Sequence, residues 1–318
     1  MDIKRLHAFT KIIDLGSISR AANLLNIAQP ALSQQLAGLE NSFKQKLVIR
    51  SKSGVAPTAA GRELYKHAQI LIKQLDRAMV EVSAGDGPLV GKVVVGLSPY
   101  SSGSAISATL LATVREKLPG ITLHLTEGFG FVYSEMVMTG RIDMAVIHGS
   151  GPMRGLSFTP LMRETFHLLA PEDLDLPLNE NGAVPLADIA AIPLLLPPRS
   201  NFVRKRADMA FMRKQLTPNI VAEIEALSTL EEGVAMGLGS TILPLLVANR
   251  LAVPGRSRVY PICNSGIYED VSLCVSDTIP DTEAALAVRE ILVDLVQSTI
   301  GDTTWAGAQP CRQAANER

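Results

Sequence analysis

The chain has 318 residues, 47% hydrophobic and 19% charged, which is room for two or three compact domains and too apolar for a disordered or fibrous protein. Aromatics reach only 4% with a single Trp, too few rings for a base-stacking RNA surface. Thirty basic side chains nearly balance 31 acidic ones, but residues 1–87 carry 12 against 7 and the remainder 18 against 24. A basic first part joined to an acidic body points to a polyanionic partner, of which nucleic acid is the commonest. Cys263, Cys274 and Cys311 have neither the number nor the spacing of a disulfide framework or a four-thiolate zinc site, and the five histidines form no HExxH, so no metal or cofactor is expected. Charges in the opening MDIKRLHAFTKIID argue against a signal peptide, and Pro and Gly interrupt every long apolar run. The expected location is the cytoplasm.

In chain order, Ile3, Leu6, Phe9, Ile12 and Ile13 repeat at helical spacing until Gly16-Ser17. A short second helix follows, with Ser19 as its expected N-cap and small Ala21 and Ala22 permitting close packing. A third starts at Gln29-Pro30, where proline suits a first turn whose N–H groups have no intrahelical partner. Short helices joined this tightly read as a helix-turn-helix. Lys46 to Pro57 alternates around Ser53-Gly54 as a two-stranded wing, and Thr58 caps a long helix. Leu64, Ala68, Leu71, Leu75, Ala78 and Val82 form a heptad seam along it, which predicts helix–helix dimerisation; the plainer alternative is packing on its own domain.

After Gly85-Asp86-Gly87-Pro88 the pattern becomes alternating strands and helices. Strands are predicted at 93–97, 121–125, 143–147, 220–224 and 240–243, and helices at 105–118, 131–139, 201–215, 226–236 and 282–296. This alternation argues an α/β fold with mainly parallel sheet.

The third helix has the clearest chemistry. Leu32, Leu36 and Leu39 share one side, while Pro30, Ser33, Gln34 and Ala37 face the other, small and polar without charge. A Gln amide can pair with adenine N6 and N7, Ser can donate or accept, and apolar groups can touch a thymine methyl, as major-groove reading requires. Arg50 and Lys52 flank the wing turn and suit either phosphate contacts or entry into a minor groove, contacts that fix register and supply affinity more than specificity.

These residues carry a resemblance. Ser17-Ile18-Ser19-Arg20-Ala21-Ala22, Gln29-Pro30-Ala31-Leu32-Ser33-Gln34-Gln35, Leu39-Glu40, Leu47-Val48-Ile49-Arg50 and Pro57-Thr58-Ala59-Ala60-Gly61 closely resemble the winged helix-turn-helix of LysR-type transcriptional regulators. Gly237-Leu238-Gly239-Ser240 to Leu243-Pro244 looks like that family's GxGxxxLP signature. Ala28 departs from it, standing where the family often has a capping Ser. IAQPALSQQ and IRSKSGVAPTAAG are most similar to the nitrogen-assimilation-control subgroup. The resemblance implies a multidomain α and α/β fold. Residues 1–58 would form the DNA-binding winged helix-turn-helix and 59–87 a dimerising linker helix. Residues 88–301 would form a periplasmic-binding-protein-like effector domain of two subdomains, about 88–165 with 271–301, and about 166–270. Crossover strands are expected near Phe166–Ala170 and Val271–Val275, and a frayed tail over 302–318.

It further implies that Gln29, Pro30, Ser33, Gln34, Arg50 and Lys52 face promoter DNA, bound by a homodimer or homotetramer that meets RNA polymerase. In the effector domain Ser98, Ser101 and Ser102 offer hydroxyls and N–H groups at a helix start, which suits a carboxylate or phosphate. The resemblance adds His148, Arg199, Ser200, Phe202 and Ser228 as borders of a cleft for a small polar or anionic effector. The competing reading within the family is control by abundance alone, with an idle cleft. An enzyme is not expected: Gly237 and Gly239 lack the third glycine of a dinucleotide fingerprint, since position 242 is Ile, and His148 has no evident carboxylate partner. An exported solute-binding protein would lack the basic module.

Overall fold

The computed structural model describes residues 2–51, 54–84, 87–128, 130–149, 151–263, 266–301 and 308–310. The expected DNA contact Lys52 and the turn residue Ser53 lie outside them. Helix α1 (Ile3–Leu15) begins at Asp2, whose side chain accepts from the Lys4 N–H, and stops at Gly16, left-handed with φ 59°. Helix α2 (Ile18–Leu24) is capped by Ser17, which accepts from the Arg20 N–H. The expected cap, Ser19, lies inside the helix, because the left-handed Gly16 redirects the chain earlier than the apolar spacing indicates. Helix α3 (Gln29–Phe43) has its proline in the first turn, and Ala28 supplies no side-chain cap.

Strands β1 (Val48–Ser51) and β2 (Gly54–Pro57) pair antiparallel as the wing. The Val55 N–H donates to the Gly16 carbonyl at 2.9 Å, holding the wing against the α1–α2 corner. Gly54, at φ 128°, permits this approach, since a Cβ there would lie 2.6 Å from the same carbonyl oxygen. Leu6, Phe9, Ile12, Ala21, Leu32 and Leu39 close one core beneath these elements.

Helix α4 (Ala59–Ala84) starts at Thr58, whose hydroxyl accepts from the Gly61 N–H at 3.0 Å. The heptad seam divides along its length. Leu64 and Ala68 are buried in the core of the helix-turn-helix, whereas Leu71, Leu75 and Val82 are 43%, 41% and 84% exposed. The first two positions therefore pack within their own domain, and only the later part leaves an apolar strip uncovered.

The effector half begins with β3 (Gly91–Leu97), a 3-10 turn at Ser102–Ile106, α5 (Ser107–Lys117), β4 (Ile121–Glu127), α6 (Gly130–Met138) and β5 (Met144–His148). β4, β3 and β5 are parallel neighbours, as the alternation requires. β6 (Leu156–Pro171) then crosses into a second half made of β7 (Val184–Pro185), α7 (Leu186–Ala191), β8 (Leu194–Leu196), α8 (Phe202–Arg213), β9 (Ile220–Glu223), α9 (Leu227–Ala235), β10 (Thr241–Pro244), α10 (Leu245–Leu251) and β11 (Ser257–Cys263). β12 (Tyr268–Ser276) and α11 (Glu283–Gly301) return to the first half.

The main sheet runs β4-β3-β5-β12-β6-β11-β7, and it is mixed where the alternation predicted a mainly parallel one: β12 pairs antiparallel with β5 and β6, and β10 and β11 pair antiparallel with β6, because the two long strands that join the halves run against their neighbours. β6 pairs with β12 from Leu156 to Thr165, and from Phe166 onward with β10 and β11. One strand is thus shared by two cores, one around Leu97, Leu110, Val146 and Leu292, the other around Leu168, Leu195, Val203 and Ile242. Val271–Val275 pairs along its whole length with β5, so the return crossing precedes it, between β11 and Tyr268. Within the segment expected to fray, Ala308–Pro310 forms β13 against Met162–Glu164. That side of β6 is open because β10 and β11 pair only from Phe166 on, and a strand edge leaves N–H and C=O groups to satisfy.

Candidate functional site

Two places gather the residues singled out by sequence. In the helix-turn-helix, Leu32, Leu36 and Leu39 are buried and turn the opposite face of α3 outward. Gln29, Pro30 and Gln34 are exposed, and Ser33 is half-buried and accepts from Gln29 Nε2 at 3.2 Å. Arg50 is exposed on β1. The far end of α3 is fixed by the buried Glu40, which accepts from Lys46 Nζ at 2.8 Å and from the Leu47 N–H at 3.0 Å. Burial pushes the Glu40 carboxyl up, but Lys46 and the Leu47 and Val48 N–H groups outweigh it and hold it below the ordinary value. Recognition helix and wing are thereby held at one angle.

In the effector half, Ser98, Ser101 and Ser102 are buried in the loop leaving β3. Ser101 Oγ donates to Glu164 Oε1 at 2.8 Å, and the Ser102 N–H donates to the same oxygen at 2.7 Å. His148 Nε2, at the end of β5, lies 3.2 Å from Glu164 Oε2. The His148 ring stacks on Phe202, centroids 3.1 Å apart, and Phe202 meets Phe166 edge-on at 6.3 Å. Asn201 caps α8 and so sets the position of Phe202. Ser101, Ser102, His148 and Phe202 are therefore brought together, and Ser98 lies on the same loop. Arg199, Ser200 and Ser228 are exposed, and among the described residues no hydrogen bond joins them to this cluster.

Beyond His148 and Phe202, Gly149, Arg206, Met209 and Tyr268 border a cavity of about 420 Å³. Its walls are tied by ion pairs from Arg206 to Glu269 and from Arg163 to Asp270. The two halves also meet at Tyr100, whose hydroxyl donates to the carbonyls of Ile224 and Glu225 at 3.1 and 3.2 Å.

Residues 3–62 match the bacterial regulatory helix-turn-helix domain of the lysR family, and residues 86–297 match the LysR substrate binding domain. The chain is a LysR-type transcriptional regulator. The nitrogen assimilation regulatory protein nac of Klebsiella aerogenes is 38% identical over 296 residues, covering 93% of this chain and 95% of that protein. Full-length OxyR from Pseudomonas aeruginosa superimposes with a TM-score of 0.72 at 23% identity, covering 99% of both chains. CbnR in complex with its target DNA superimposes with a TM-score of 0.54 at 20% identity, covering 93% of this chain and 99% of that one.

Sequence reasoning overlooked two residues in this LysR-type regulator. Glu164 supplies the carboxylate partner that His148 was expected to lack, and its signal was the one acidic residue in the segment Leu161 to Ala170, where Arg163 beside it reads as its ion-pair partner. Tyr100 stands between the loop serines with no local pattern to mark it, yet its buried phenol finds its acceptors more than 120 positions away.

Proposed function

We propose that this regulator reads promoter DNA as a homodimer or a dimer of dimers, with α3 in the major groove and the wing on the backbone. Gln29, Pro30, Ser33 and Gln34 meet base edges, and Arg50 and Lys52 hold phosphates. The uncharged, outward face of α3 above a closed core carries this reading, because it presents amide and hydroxyl groups where a solvated helix more often carries Glu and Lys. The exposed apolar strip of α4 supports the oligomer, which places two heads on half-sites one helical turn or a multiple apart. The cleft around His148 and Phe202 is the regulatory element, since both halves of the effector domain contribute to it and a ligand there favours one arrangement of them. The site of action is the cytoplasm, and RNA polymerase is the partner at the promoter.

The cluster supports binding over catalysis. Ser101 is wholly buried and its hydroxyl is spent on Glu164, whose carboxylate is itself tied to the Ser102 N–H and His148, so the serine is not presented to a substrate as a nucleophile is. Burial pushes the Cys274 thiol up to about 12, so that sulfur holds no thiolate at neutral pH. The test is a genomic footprint of the purified protein with and without the Gln34→Ala change. Discrete promoter sites that vanish in the variant support the assignment. Footprints unaffected by the change remove α3 as the reader.

A further inference from the structure

Glu164 is 1% exposed and sits on β6 two residues before the strand begins to pair with the second half of the effector domain. A buried carboxylate is unfavourable unless it is fully hydrogen-bonded, and this one is held from two sides. Oε1 receives the Ser101 hydroxyl and the Ser102 N–H at 2.8 and 2.7 Å, and Oε2 faces the buried His148 imidazole at 3.2 Å. A hydroxyl, a main-chain N–H and an imidazole converging on two oxygens are the groups that orient a small carboxylate in a pocket. The His148 ring is at the same time pressed on Phe202 of the second half, so one wall of this seat comes from across the cleft. His148 Nδ1 is buried without a partner among the described residues, so the ring is placed to serve the carboxylate and is not held by a hydrogen bond on its other side.

We propose that Glu164 is an internal ligand of the effector cleft: its carboxylate fills the seat that a small carboxylate effector would take, so the native cleft admits no small anion there. This rests on the cleft being the regulatory element, and it changes the expected chemistry of that one seat from anion-binding to anion-excluding. A tethered carboxylate competes at an effective concentration that a free metabolite does not match. Any effector of the native protein must then occupy the adjoining cavity beside Arg206 and Tyr268 without displacing Glu164.

Chemical rescue tests the assignment on the full-length protein. Wild type, Glu164→Gln and Glu164→Ala are melted in sodium formate or sodium acetate, with sodium chloride at matched ionic strength as control. Glu164→Gln keeps a carbonyl oxygen for Ser101 and Ser102 and folds. Wild type and Glu164→Gln melt identically in carboxylate and chloride. Glu164→Ala melts several degrees lower in chloride and recovers saturably in formate or acetate, and adding Ser101→Ala abolishes the recovery. If Glu164→Ala is recovered poorly, soluble yield in formate against chloride reads the same rescue. Saturable stabilisation of wild type by acetate overturns the proposal, as does a Glu164→Ala protein indifferent to carboxylate in both readouts. Promoter footprints taken on the same samples separate the two readings. A thermal rescue with an unchanging footprint keeps the internal ligand and removes the regulatory cleft, whereas acetate acting on both melting and footprint in wild type does the reverse.

Discussion

Lys73 and Asp143 lie 70 positions apart in sequence and 2.9 Å apart in space, ammonium to carboxylate. The Asp143 side chain is almost wholly buried, and its other oxygen accepts from the Val94 N–H at 2.8 Å. The pair fastens the linker helix α4 to the sheet of the effector domain at the mouth of β5, so a change in the sheet has a direct path to the helix that carries the DNA-reading heads. Lys73→Met removes a charged hydrogen bond from a buried oxygen and is expected to cost roughly 1–3 kcal/mol locally. Amide exchange over residues 70–84 accelerates in Lys73→Met and in Asp143→Asn. Unchanged exchange in both variants shows that α4 is held by other contacts.

Gln34 is exposed on α3 while Leu36, two residues on, is buried. Gln34→Ala therefore leaves the core intact and removes an amide from the groove face. Affinity for the promoter site falls by about 1–3 kcal/mol, and affinity for random duplex stays within a factor of two of wild type. Equal losses on both duplexes, read by titration at fixed salt, assign the residue to the fold and not to base reading.

The division of the α4 seam makes the linker testable without unfolding the head. Leu71→Asp with Leu75→Asp places carboxylates on positions already 43% and 41% exposed, so the monomer tolerates them, while Leu64 and Ala68 continue to hold the core. In a helix pair the same carboxylates are buried and unpaired. Sedimentation reports a monomer and promoter affinity falls with it; a double variant that still sediments as a dimer moves the interface elsewhere.

The winged head should weaken in acid through Glu40. Its folded carboxyl is held below its ordinary value of 4.5, so it contributes stability above that value, and the contribution is lost as pH falls through the lower folded value. Glu40→Gln removes this dependence and destabilises the head at neutral pH, because Lys46 loses its charged partner. Melting of wild type and Glu40→Gln converges toward pH 3. Parallel curves from pH 7 to pH 3 show that Glu40 is not the group responsible.

The periodic elements were legible because burial on one face writes a repeat into the sequence: the Leu32, Leu36, Leu39 stripe and the strand at Val93 to Leu97 are such repeats. β6 was legible only over its last residues. Its first part contains Pro160, which reads as a break, and the structure absorbs it where pairing jumps from Val271–Met162 to Ser272–Pro160 and leaves Leu161 as the extra residue. The cluster around Glu164 was half legible. The loop serines and His148 stand out as polar groups at strand ends, but Ser101 is 63 positions from Glu164, and no local pattern encodes that distance. Arg199, Ser200 and Ser228 were assigned by resemblance alone, and in this chain they are on the surface.

The sharing of β6 also sets the order in which the protein can fold as it is made. The second half, from Phe166 to Cys263, leaves the ribosome as one unbroken block and can close its core at once. The first half cannot, because β12 lies between β5 and β6 and is completed only at Ser276. At 5–20 residues per second, β5 waits roughly 5–20 s after β6 is finished with an apolar edge unpaired. During that interval Met144–His148 is a strand seeking a neighbour, which makes it the stretch where a nascent chain is most open to chaperones or to another copy of itself.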